Sequence, residues 1–117
     1  MGLIKVGSGN YAGPYAGSDT RTGTTIAAGV NLDIDVQGLG TVNLLIVNTG
    51  STNSLDYTVT GSLSGADFLV AEKALTTVAQ SANSQVAVTK PYKTLRVNMK
   101  STGAAAHTTY AIYMAGV

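Results

Sequence analysis

From Val30 to Met114 one device recurs about eight times: a short run of alternating apolar and polar residues, closed by a turn rich in Gly, Asn and Ser. In Val30-Asn31-Leu32-Asp33-Ile34-Asp35-Val36 every even position is apolar and every odd one polar. Successive side chains of a strand point to opposite faces, so such a run packs one face and wets the other. The same rule returns in 55–60, with Leu55, Tyr57 and Val59 inward, and in 95–100, with Leu95, Val97 and Met99 inward. One run breaks it. Leu44-Leu45-Ile46-Val47 closes a strand expected over 41–47 and implies burial on both faces, centrally in the sandwich or against another subunit.

Turn chemistry divides the remainder into short pieces. A strand is expected near Thr24–Ala27, and Gln37-Gly38-Leu39-Gly40 turns into 41–47. The small residues of 48–54 form an exposed connection into strand 55–62. Ser64-Gly65-Ala66-Asp67 leads into Phe68–Ala71 as a hairpin. Residues 71–79 mix helix formers (Glu72, Lys73, Ala74, Leu75) with strand formers (Thr76, Thr77, Val78), and a strand or irregular crossing is the favoured reading. Strands follow over 85–89, 93–100 and 108–114, with Pro91 at a strand edge or start because it lacks an amide donor. Eight short strands predict an all-β, single-domain antiparallel β-sandwich, with the jelly-roll as one form of it.

With 117 residues, a single core is the expectation, and the sandwich is assigned to 24–117. Residues 1–23 carry Gly2, Gly7, Gly9, Gly13, Gly17 and Gly23 without a sustained period, and read as an extended N-terminal arm or a folded-back terminus. Tyr11 and Tyr15, flanking Gly13-Pro14, are anchors that a neighbouring subunit could bury. Charged residues are 11% of the chain and the net charge is +1, so little repulsion keeps copies apart. There is no cysteine, which leaves stability to non-covalent packing. The N-terminus lacks the apolar core of a secretory signal and no apolar run is long enough to span a bilayer, so synthesis in the cytoplasm and no membrane partner are expected.

Acid–base and metal chemistry need clustered His, Cys, Asp or Glu, and this sequence holds one His and one Glu. No catalytic, cofactor or metal residue is therefore assigned, and no cofactor is expected. Asp33 and Asp35 share a strand face and could flank a cation, but the twelfth position of a calcium loop counted from Asp33 is Leu44, so a solvated acidic edge is preferred. His107 reads as an exposed loop residue. Gly61-Ser62-Leu63-Ser64-Gly65 places Leu63 where a nucleophile would have to stand.

Lys90, Lys93, Arg96 and Lys100 gather most of the basic charge in eleven residues. Without interleaved aromatics they argue first for a strand edge guarded against aggregation, then for a protein partner, and nucleic acid is not expected. They join Tyr11, Pro14 and Tyr15 as the candidate partner-binding residues.

Three stretches carry a family likeness. These are Asn48-Thr49-Gly50 running into 55–68, then Pro91-Tyr92-Lys93-Thr94-Leu95-Arg96-Val97, then a Gly/Ala turn before a closing Thr/Tyr strand. Over 48–117 the chain resembles small virion structural proteins of tailed bacteriophages, in particular capsid decoration, or cement, proteins. The resemblance implies a β-sandwich subunit on the virion capsid surface that bridges neighbouring major capsid protein subunits. It also implies a homo-oligomer, a trimer by preference with a dimer permitted. Two alternatives stand beside it: a tail or minor head component, and a carbohydrate- or receptor-binding module using Tyr92, Tyr110 and Tyr113.

Overall fold

A computed structural model describes residues 17–25, 29–103 and 106–117. They form eight strands: β1 (Gly17–Thr24), β2 (Val30–Asp35), β3 (Val42–Asn48), β4 (Leu55–Ser62), β5 (Val70–Val78), β6 (Asn83–Val88), β7 (Thr94–Ser101) and β8 (Thr109–Gly116). Two four-stranded antiparallel sheets result, ordered β1-β8-β3-β6 and β2-β7-β4-β5. Only β4 and β5 are consecutive strands paired in one sheet; every other connection crosses from sheet to sheet. That order is an eight-stranded jelly-roll.

The alternation seen in the sequence is what closes the two sheets on each other. Ile34 from β2, Leu55, Tyr57 and Val59 from β4, and Leu95, Val97 and Met99 from β7 face Leu44 and Ile46 of β3 and Ile112 of β8, all of them fully buried. Each such side chain contributes roughly 1.5–3 kcal/mol by leaving water. Within one copy, β3 is buried on one face, so of the two placements expected for it the central one is not what the fold provides. Leu44 and Ile46 enter the core, while Leu45 and Val47 lie half-buried on the outer face.

The first strand is displaced from its expected place. It occupies Gly17–Thr24 rather than Thr24–Ala27, so residues 17–23, expected within the arm, pair with β8 from Gly17↔Gly116 to Thr24↔Thr109. Tyr11, Pro14 and Tyr15 lie outside the described residues. Residues 70–78 are a strand, but an irregular one, whose register against β4 shifts between Tyr57 and Val59 and again between Val59 and Thr60.

At one end of the sandwich a single buried amide ties both sheets together. Asn48, fully buried, donates through Nδ2 to the carbonyls of Asn53 (2.8 Å) and Val78 (3.0 Å). Its Oδ1 accepts from the Gly50 amide (3.1 Å) and the Thr108 hydroxyl (2.7 Å). Both amide protons and both lone pairs are used, so no buried polar capacity is wasted.

Candidate functional site

The outer face of the β2-β7-β4-β5 sheet is a set of matched polar pairs. Antiparallel register sets Asp33 opposite Arg96 and Asn31 opposite Asn98. Arg96 therefore forks onto Asp33, Nε to Oδ1 at 2.7 Å and Nη2 to Oδ2 at 3.0 Å, while Asn98 Nδ2 donates to Asn31 Oδ1 at 2.7 Å. Hydrogen bonding from Arg96, helped by its charge, holds the Asp33 carboxyl below its ordinary value against a smaller opposing effect of burial. The Arg96 guanidinium also stacks 3.9 Å over the Phe68 ring. Nearby, Asp56 Oδ1 accepts from Thr77 (2.6 Å) and Thr102 (3.0 Å).

The outer face of the other sheet is of a different kind. Strands β3, β6 and β8 contain no charged residue. Outward they present Asn43, Leu45, Val47, Gln85, Ala87, Tyr113 and Ala115, with Leu45 opposite both Gln85 and Tyr113. A shallow cleft of about 210 Å³ runs between Asn43, Leu45, Gln85 and Tyr113.

A third feature lies at the β4–β5 connection. Leu63 is 74% exposed and Leu69 87%, with Val70 beside them at 38%. Leu63, Leu69, Val70 and Asp67 line a cleft of about 220 Å³. The loop presenting these leucines is hydrogen-bonded: Ser62 Oγ accepts from the Gly65 amide (2.8 Å), and Ser64 Oγ accepts from the amides of Ala66 (3.1 Å) and Asp67 (3.0 Å). Gly65 turns the chain with φ +86°, a conformation in which a side chain is strained.

The four basic residues have different surroundings. Arg96 is engaged by Asp33 and Phe68. Lys100 points outward from β7 in register with Asp56. Lys90, 70% exposed, sits 3.9 Å from Glu72, and the Lys93 methylenes lie over Gly65 beside the apolar loop. Of the three tyrosines considered for glycan stacking, Tyr92 and Tyr110 are buried and Tyr113 is half-exposed. Tyr92 packs its ring across Gly61, where a Cβ would stand 2.5 Å from it, and donates its hydroxyl to the Glu72 carboxylate. Burial, then the Glu72 hydrogen bond and charge, push its phenol up to about 12.

His107 is exposed, and its carbonyl accepts from Asn53 Nδ2. Asp35 Oδ1 accepts from the Gln37 amide at 3.1 Å. Among the described residues no three His, Cys, Asp or Glu side chains stand together to hold a metal ion. The leucines at the β4–β5 end were passed over in the sequence reading, although a large apolar residue between Gly61 and Gly65 was a visible signal.

No family model matches the chain, and no curated protein matches it in sequence. Solved structures do share its fold. The crystal structure of PirA is 16% identical, with a TM-score of 0.59 over 81% of this chain and 92% of that one. A chain from the disulfide-linked pili formed by Bacillus endospore appendages is 13% identical, with a TM-score of 0.52 over 88% of this chain and 87% of that one. Identities this low establish a common fold and nothing further.

Proposed function

We propose that this protein is a structural subunit of a larger particle, and specifically a decoration protein that docks on a bacteriophage capsid and bridges neighbouring major capsid protein subunits. The observation that carries this reading is the apolar end built by Leu63, Leu69 and Val70. Large side chains held in water by a hydrogen-bonded turn gain roughly 1.5–3 kcal/mol each when a partner covers them, before the costs of association. Lys90 and Lys93, both exposed, supply positive charge for steering onto an acidic surface.

The likeness over 48–117 to phage virion proteins supports the same reading, and the endospore pilus shows that this fold serves in a many-copy assembly. Cohesion here must be non-covalent, since the chain has no cysteine. Residues 1–16, with Tyr11, Pro14 and Tyr15, are proposed to extend the contact to a neighbour. On this reading the chain binds and catalyses nothing.

The test is co-sedimentation with undecorated phage heads. Wild-type protein is expected to pellet with saturable stoichiometry, and a Leu63→Ser, Leu69→Ser double variant, with unchanged thermal melting, is expected to stay in the supernatant. Binding by the double variant equal to wild type would remove the apolar end from the mechanism. Absence of wild-type binding to heads, with binding to tails, would move the protein to the tail.

A further inference from the structure

Each sheet of an open sandwich leaves two edge strands whose outer backbone groups can recruit another strand, and proteins normally guard them with charge, proline or bulges. Strand β2 carries Asp33 and Asp35, β5 carries Glu72 and Lys73 together with two register shifts, and the sequence of β1 includes Asp19 and Arg21. Strand β6, Asn83-Ser84-Gln85-Val86-Ala87-Val88, has no charge and no proline, and its register against β3 is regular from Val47↔Asn83 to Val42↔Val88.

The direction of its free groups follows from one hydrogen bond. The Asn48 amide donates to the Ala82 carbonyl, which makes 48 and 82 a hydrogen-bonded pair. Antiparallel ladders alternate, so Ser84, Val86 and Val88 turn their backbone groups toward β3, and Asn83, Gln85 and Ala87 turn theirs away. Among the described residues no backbone group meets that outer edge.

We propose that β6 pairs with β6 of a second copy of this chain, antiparallel about a two-fold axis through Gln85. That register pairs Asn83 with Ala87 and Gln85 with itself, and so employs all three residues whose backbone groups face outward. It keeps Val86 and Val88 on the core side of both copies and Gln85 and Ala87 on the outer side. A neutral strand meets its own copy without like charges, which β2, with two aspartates, cannot do. The two β1-β8-β3-β6 sheets become one eight-stranded sheet. A seam of six residues is roughly 20 Å long, small against a permanent interface, so the dimer is reversible and depends on concentration. This inference rests on the edge itself and holds or fails independently of capsid docking.

Because the chain has no cysteine, single Cys variants read the register directly. Across a hydrogen-bonded pair the Cα atoms lie about 5.5 Å apart, within disulfide range. Mild oxidation of Gln85→Cys is expected to give covalent dimers. Asn83→Cys or Ala87→Cys alone, each roughly 13 Å from its own copy along the strand, is expected to give none, whereas an equal mixture of the two cross-links. In sedimentation, wild type is expected to dimerise with rising concentration and Ala87→Lys to remain monomeric with unchanged melting. A wild type that stays monomeric at millimolar concentration overturns the proposal. So does Gln85→Cys cross-linking no better than Ala71→Cys on the bulged β5 edge.

Discussion

The two sheets share one core yet treat their outer faces in opposite ways. On β2-β7-β4-β5, Asp33 meets Arg96, Asn31 meets Asn98, and Asp56 meets Thr77 and Thr102. On β3, β6 and β8 the outward side chains are small, amide or apolar, and Leu45 with Tyr113 forms a cleft. Polar pairs satisfied in place have little to gain from a partner, because any contact must first strip them of water. Strands β3, β6 and β8, which contain no charged residue, lack that penalty. The difference teaches that, in a chain only 11% charged, where the charges sit decides which surfaces are free to associate.

The largest effect should come from the point where the sheets are joined. Asn48→Ala strands two carbonyls, one amide and one hydroxyl, and is expected to lower unfolding free energy by about 3 kcal/mol. Denaturant unfolding should remain one transition seen alike by fluorescence and circular dichroism. Two separate transitions would mean that the sheets are not one cooperative unit, and the contrast between them would be one of domains rather than of faces.

A smaller effect is expected at the corner where Tyr92 meets Glu72. With the phenol raised from 10.0 to about 12, the unfolded chain loses that proton first as pH rises. Stability is thus fully present below pH 10 and declines between 10 and 12. Tyr92→Phe should cost about 1 kcal/mol at neutral pH and flatten this alkaline decline, as followed by thermal melts across the pH range.

The smallest effect belongs to the charged face. Since Asp33 is held below 3.8, its contribution is present above that value and fades as pH falls through the lower folded one. Asp33→Asn should shift the neutral melting temperature slightly and soften the acid limb, because an exposed ion pair is screened by water and salt. A large drop at neutral pH would show that this face holds the fold together, and the contrast with the uncharged strands β3, β6 and β8 would need another basis.

Period-2 patterning made most of the architecture readable in advance. Leu55, Tyr57, Val59, Leu95, Val97 and Met99 point inward as their spacing requires, and 70–78 is a strand despite its helix formers. Two elements escaped for physical reasons. Strand β1 has no apolar alternation, Gly-Ser-Asp-Thr-Arg-Thr-Gly-Thr, and owes its place to pairing with β8, a long-range contact no local pattern announces. Leu45 and Val47 looked doubly buried because periodicity cannot tell a core face from a neutral outer face. The basic residues are close in sequence but meet different partners: Arg96 is captured by a strand sixty-three residues earlier, while Lys93 lies over Gly65.

The amide at position 48 selects by proton count rather than by shape. Aspartate would fill the same volume, yet it would set an oxygen against the carbonyls of Asn53 and Val78, 2.8 and 3.0 Å away, where two N–H groups now point. A carboxylate in place of that one amide would turn attraction into repulsion at the junction of both sheets. Burial is what makes the site unforgiving.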